Sequence, residues 1–437
     1  MNKKLITFFT VIALIFQFVF PCFAQQTQMA APPEVTAQNV YMINLNTGAV
    51  VYEKSADEKI YPASLTKLVT MLVAADMITD YSQVITVSDE CYDDLVIGSS
   101  NMNLQDGEEM SLDDLMYGLA LSSANEASNA LAIYLCGSIE DFVAKMNEKA
   151  KSLGANNTHF VNTHGLHDQE HYTTAKDMSI IAKAAFSNET ILKYISSSVH
   201  EIPPTNKTTE KRTLVTTNSL LRKNSEFYYK YCKGGKTGTT TPAGYNLVSL
   251  SEKDDTEFLL VAMHVPKDSV TTNTVFNDSK LLYNWAFENY KNKKILDSTE
   301  VITEVEVELS AKGDHLILIP QTNAYSVVPV DIDVSSLERT VHTQEKIYAP
   351  VTEGDVLGTV TLSKDGIDYA VVNLVAASDV KRSTVLYYLH LIEQFFSNLW
   401  VRIACIIIAI FIIIYIIIMI SQNRRRRRRK LRRRIRF

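Results

Sequence analysis

The sequence predicts a mixed α/β (α+β) domain whose helices pack on an antiparallel sheet, followed by a small all-β domain and one C-terminal transmembrane helix. Apolar residues recur at helical spacing in the first half of the chain and at strand spacing after Gly234. Short alternating runs fill residues 298–377, and the uncharged stretch from Ile403 to Ile420 is long enough to cross a hydrocarbon core of about 30 Å. With 437 residues, 46% apolar and 21% charged, the chain is neither disordered nor collagen-like and can hold two or three cores.

Taken in order, Lys3 and Lys4, the apolar run Leu5 to Phe20 and the segment ending at Ala24 read as a signal peptide over residues 1–24. Cys22 as an acylated cysteine is the weaker reading, because Pro21 stands where a small residue is expected. Residues 25–38 form a polar lead-in. Asn39 to Lys54 alternates around Asn46-Thr47-Gly48, a hairpin signal. Pro62 opens a helix with a core face of Leu65, Leu68, Val69, Leu72, Val73 and Met77. Two helical patterns between Leu112 and Leu135 break at Ser122 to Asn125, and Thr174 to Phe186 is a further helix. Strands follow at Lys236 to Thr240, Tyr245 to Ser251 and Phe258 to Val265, and a helix near Ser279 to Tyr290 closes a domain spanning 39–295.

Six short strands with Gly313, Gly354, Gly358 and Gly366 between them predict the all-β domain at 298–380. A linker helix at 381–402, a span at 403–420 and a tail at 421–437 complete the chain. The tail changes the meaning of the net charge of −6. Ten Arg and one Lys lie in the last 14 residues, so the segment from 25 to 398 carries 29 basic against 49 acidic residues, net −20. Arginine-rich flanks stay cytoplasmic, which puts the acidic body outside and the tail on the cytoplasmic side of the membrane. Beside a spanning helix the expected partner of the tail is membrane lipid, with no nucleic acid.

Cys91, Cys136 and Cys232 are odd in number and lack CxxC spacing, so they read as isolated buried thiols. His159, His164, His167 and His171 match no zinc-binding pattern, and no metal is expected.

Three short motifs carry the chemistry. Ser64 and Lys67, three residues apart at a helix start, share one face. Lysine becomes a base for serine where burial, another cation and the positive helix end lower its pKa. Ser123-Ala124-Asn125 sits in the helix break. Lys236-Thr237-Gly238-Thr239 begins a strand, where glycine lets a ligand lie close while a cation and hydroxyls face a carboxylate. Each motif alone is ordinary, since serine and asparagine are common helix caps.

In this order on an exported chain, the three motifs resemble those of the penicillin-binding D-alanyl-D-alanine carboxypeptidases related to penicillin-binding protein 5. Tyr61 to Lys67, Asn162 to Asp168 and Lys236 to Tyr245 are similar to that family's surroundings, and the resemblance runs from about residue 35 to 380. It implies a serine transpeptidase/β-lactamase-like fold and an acyl-transfer cycle without cofactor or metal. On that resemblance Ser64 attacks the carbonyl between the D-alanines of a peptidoglycan stem peptide, Lys67 is the base and Ser123 delivers the leaving-group proton. Asn125 orients the peptide, and Lys236 and Thr237 hold the terminal carboxylate. Gly238 and Thr239 complete the substrate-binding strand, and the N–H groups of Ser64 and Thr239 form the oxyanion hole. β-Lactams would acylate Ser64.

Two departures stand out. Ala124 occupies a place often held by glycine, tolerable if its φ is negative, and a spanning helix replaces the usual amphipathic anchor. A β-lactamase would need a water-activating group that the sequence does not show. A DD-endopeptidase or transpeptidase shares the acylation step, and a non-catalytic wall-binding homologue would be free to lose one of the six side chains with assigned roles, all of which are present.

Overall fold

The computed structural model describes residues 30–266 and 274–434, so the expected signal peptide lies outside the described residues. The chain forms two compact units. The first comprises Met1–Ile295 with Tyr325–Glu338 and Ser363–Ala370, and the second Leu296–Ala324, Arg339–Leu362 and Val371–Phe437.

The first unit opens with the antiparallel pair β1 (Asn39–Asn44) and β2 (Val50–Lys54), the predicted hairpin. A 3₁₀ turn at Ala63–Thr66 leads into α1 (Lys67–Met77), so the helix begins after Ser64 and not at Pro62. A small hairpin of β3 (Val84–Thr86) and β4 (Glu109–Ser111) precedes α2 (Leu112–Tyr117). That helix widens into a π turn at Gly118–Ser122. Then come α3 (Asn125–Cys136), α4 (Ile139–Leu153), α5 (Ala175–Phe186) and α6 (Glu189–Ser196). Ser138 and Thr174 cap α4 and α5, their hydroxyls accepting from the N–H groups of Asp141 and Asp177. A second hairpin, β5 (Val199–Ile202) and β6 (Arg212–Val215), leads to β7 (Cys232–Thr240), β8 (Gly244–Lys253) and β9 (Thr256–Val265). α7 (Thr274–Asn289) starts five residues before the predicted helix, and β10 (Tyr290–Leu296) follows it.

The five-stranded sheet has the order β2-β1-β9-β8-β7, with every neighbouring pair antiparallel. Side chains alternate along its strands, so each strand can serve two cores. Tyr41, Ile43, Leu259, Val261 and Met263 face the core built with α1 to α6. Val40, Met42, Phe258, Leu260 and Ala262 face the core with α7. β1 is consequently buried along its whole length. α1 was expected to bury one face, yet Lys67 to Ala74 are all buried. Its position among helices and sheet removes Lys67 from water.

The remaining strands are β11 (Thr303–Glu308), β12 (His315–Pro320), β13 (Ala324–Pro329), β14 (Glu338–Thr343), β15 (Ile347–Tyr348), β16 (Val356–Lys364) and β17 (Ile367–Ala376). Six of them form a sheet of order β14-β16-β17-β12-β11-β15, while β13 pairs with β10. The linker expected as one helix over 381–402 is divided: α8 (Thr384–Ser397) ends at Asn398, and α9 (Leu399–Arg434) begins directly after it. Within α9, Leu399–Arg426 contains an 18-residue window with a mean hydropathy of 3.5, none of it buried, long and apolar enough to cross a membrane.

Candidate active site

The three motifs converge in a cleft of about 230 Å³ in the first unit, lined by Ser64, Ser100, Ser123, Thr217, Thr237, Gly238, Thr239, Tyr245, Asn246, Val275 and Phe276. Ser64 lies in the 3₁₀ turn, half-buried, with the Nζ of Lys67 3.2 Å from its Oγ. The backbone that presents it is unusual. Ala63 has φ +48°, a conformation costly for a residue with a Cβ. The amide of Asn246 on β8 donates to the carbonyls of Tyr61 and Pro62 at 3.0 and 3.1 Å, clamping the turn to the sheet. Two glycines leave room for it. A Cβ on Gly165, itself at φ +89°, would stand 1.9 Å from the Ala63 oxygen. A Cβ on Gly238 would stand 2.8 Å from the Pro62 oxygen and 3.0 Å from the Ser64 nitrogen.

Lys67 is fully buried. Besides Ser64, its Nζ contacts Asn125 Oδ1 at 2.7 Å and the main-chain oxygen of His164 at 2.8 Å. Burial holds its pKa well below the ordinary lysine value, and nearby Lys236 lowers it further against an opposing pull from Glu126. An amine that is neutral at moderate pH and beside a hydroxyl can act as its base. At the helix break Ser123 takes the left-handed conformation, φ +56°, while Ala124 has φ −60°. The alanine therefore satisfies the condition its place requires, and the backbone cost falls on Ser123.

Lys236 on β7 is 1% exposed, and its Nζ donates to Ser123 Oγ at 3.0 Å and to the Thr237 carbonyl at 2.9 Å. Burial pushes its pKa down to about 7. The hydroxyls of Thr237 and Thr217 lie 2.6 Å apart at the cleft wall. All eight sequence-predicted site residues are thus brought together: five line the cleft, Lys67 and Lys236 hydrogen-bond to Ser64 and Ser123 of that lining, and Asn125 bonds to Lys67.

The sequence reading missed Thr217, which carries no motif of its own, and the carbonyl of His164, which no side-chain pattern announces. It also missed Glu126. This residue is fully buried and accepts the Met102 N–H at 2.6 Å, while the Asn125 N–H donates to the Ser100 carbonyl. These bonds fix the Ser100–Met102 segment at the cleft rim. His159, His164 and His167 lie within electrostatic reach of His171, but the rings turn to different partners. His164 reaches Asp94 and His171 reaches the Thr66 hydroxyl at 2.7 Å. Burial pushes the pKa of His171 down to about 3. No group of three metal-ligating side chains occurs among the described residues.

Comparison with known proteins gives one consistent answer. A family model described as D-alanyl-D-alanine carboxypeptidase matches residues 25–267, and one described as penicillin-binding protein 5, C-terminal domain, matches 290–382. The chain is 30% identical over 400 residues to D-alanyl-D-alanine carboxypeptidase DacF of Bacillus subtilis strain 168, covering 89% of this chain and 97% of that one. It is 30% identical over 389 residues to DacA of Haemophilus influenzae, covering 85% and 93%. The crystal structure of penicillin-binding protein 5 from Haemophilus influenzae superposes with a TM-score of 0.66 at 29% identity, covering 81% of this chain and all of that one.

Proposed function

The chain belongs to the D-alanyl-D-alanine carboxypeptidase family of serine peptidases, and from that premise we propose that Ser64 is the nucleophile of its acyl-transfer cycle. The enzyme is a penicillin-binding carboxypeptidase that acts on peptidoglycan peptides ending in D-Ala-D-Ala. The observation that supports the assignment to Ser64 is the buried Nζ of Lys67 at 3.2 Å from its Oγ, with pKa well below the usual lysine value.

Neutral Lys67 takes the hydroxyl proton as Ser64 Oγ bonds to the carbonyl carbon between the two D-alanines. The N–H groups of Ser64 and Thr239 receive the negative charge on the carbonyl oxygen, where one donor contributes roughly 3 kcal/mol to the barrier. Collapse expels D-alanine, and its amine takes a proton through Ser123, which Lys236 touches. Asn125 orients the peptide, and Lys236, with the hydroxyl of Thr237, binds the terminal carboxylate. Water then cleaves the ester on Ser64 and restores the hydroxyl. A β-lactam stops at that ester. An endopeptidase differs in the amine that leaves and a transpeptidase in the acceptor of the acyl group, and the carboxypeptidase reading follows the family.

The apolar helix Leu399–Arg426 is compatible with a single-pass anchor. The arginine tail supports a topology with the catalytic unit outside and the tail in the cytoplasm, close to anionic lipid headgroups. D-alanine release by the native chain and its loss in Ser64→Ala test the proposal; release by Ser64→Ala would place the nucleophile elsewhere.

A further inference from the structure

Of the three partners of Lys67, two are side chains of the motifs, and the third is the main-chain oxygen of His164. A carbonyl is only as well placed as the peptide that carries it. The His164 ring, 1% exposed, is held at both nitrogens. The Leu166 N–H donates to Nδ1 at 3.1 Å, so Nε2 carries the proton and donates to Asp94 Oδ2 at 3.0 Å. Burial holds the ring below the ordinary histidine pKa, and it is the neutral imidazole that makes this pair of bonds.

Asp94 is tied in turn. Its Oδ1 accepts from the Asn129 amide at 2.7 Å, and the Asn129 oxygen accepts the Thr163 hydroxyl at 2.5 Å. The Thr163 carbonyl accepts the hydroxyl of Thr70 at 2.5 Å, one helical turn beyond Lys67 on α1. The peptide segment 163–164 is therefore anchored on one side to the helix that carries the base and on the other to a carboxylate. Among the described residues, Asp94 makes its side-chain hydrogen bonds to Asn129 and His164, neither of which lines the cleft. Its side chain is 38% exposed and borders a separate hollow of about 790 Å³ with Glu90, Asp93 and Glu140.

We propose that Asp94 is a positioning residue for acylation, acting through the His164 ring to fix the carbonyl that orients the Lys67 amine toward Ser64. This rests on Lys67 as the base. The charged and titratable groups facing Lys67 are Lys236 and Glu126, and Lys67 and Asp94 face His164. His171, neutral through burial, lies near both. Of these groups Asp94 is the one changed to test the idea, with Asp93→Ala and Lys67→Ala as controls.

The experiment follows acylation of the full chain in detergent by a fluorescent penicillin between pH 5 and 10, with non-covalent affinity separated from the covalent rate. Asp94→Ala should slow the covalent step about tenfold, the scale of a misplaced catalytic group, and leave the affinity unchanged. Its acid limb should move to lower pH, because an ammonium that loses an accepting carbonyl gives up its proton more readily. Asp94→Asn, which still accepts from Nε2, should recover most of the rate while keeping a smaller displacement of the limb. The exposed neighbour in Asp93→Ala should behave as native. A native rate and limb in Asp94→Ala, or equal losses of affinity and rate, would overturn the proposal. If that variant does not fold, Asp94→Asn decides on the displacement of its limb, and a native profile overturns the idea. Lys67→Ala separates the two readings: full acylation there removes the base assignment and this inference together, whereas an inert Lys67→Ala beside a native Asp94→Ala removes only the inference.

Discussion

At the scale of single residues, the account depends on two lysines buried for different tasks. Lys67 needs to be neutral, so acylation should rise with pH as it loses its proton, well below the 10.5 of a free lysine. Lys236 needs its charge. Burial sets its pKa near 7, and an arriving carboxylate raises that value, so the KM for peptides with a free terminal carboxylate should climb as pH rises above about 7. The KM of the matching amides should stay flat across the same range. Lys236→Ala should raise KM for the free acid by about 30-fold, the loss of a charge-assisted bond of about 2 kcal/mol, and scarcely alter the amide. Equal damage to acid and amide would refute the carboxylate role. Ser64, Lys67, Ser123, Asn125, Lys236 and Thr237 were legible in the sequence because three short motifs, each ordinary alone, stand in the order that resembles a known family. His164 was not, since its contribution is a backbone oxygen, and Thr217 was not, since a lone threonine has no signature.

The elements contribute the backbone that these side chains need. Ser64 is presented by a turn with Ala63 in the left-handed region, and Gly165 gives that turn its space. Gly165→Ala should cost about 3 kcal/mol or more of stability, because both its φ and the Ala63 oxygen oppose a methyl group, and should slow acylation as well. A contrasting substitution is Ser138→Ala, which removes the cap of α4 and lies outside the cleft lining. It should lower stability by about 1 kcal/mol and leave acylation intact, as thermal unfolding and penicillin labelling would show. Periodicity located α1, α2, α3, α5 and α7 and the strands β7 to β9 because burial dictates it, but it passed over α4 at Ile139–Leu153. It overlooked β10, whose lysines stay exposed or half-exposed along an edge-like run and whose burial is confined to Ile295 and Leu296. It also carried the linker helix past Asn398, where the structure ends α8, because the apolar composition continues across that point.

For the whole molecule, one helix of 36 residues continues from the apolar stretch into the arginine run. Preceding it, α8 exposes Val385, Leu386, Tyr388, Leu389, Ile392, Phe395 and Phe396, so the chain before the span is itself apolar on its surface. Ending the chain at residue 398 should convert an anchor that resists alkaline carbonate into one that carbonate extracts, measured by fractionating membranes. Retention of the shortened chain in the washed membrane would contradict the assignment of the anchor to α9. The succession of an α/β domain, a β-rich domain and one apolar C-terminal helix was legible from hydrophobic patterning, whereas the division of the chain into units that borrow segments 325–338 and 363–370 was not, because it follows from contacts between residues distant in sequence. Catalysis through Ser64 is tested by D-alanine release from a diacyl-Lys-D-Ala-D-Ala peptide by the full chain in detergent, beside Ser64→Ala. The account predicts release by the native chain and none by the variant, with both folded by circular dichroism; release by Ser64→Ala at the native rate would contradict it.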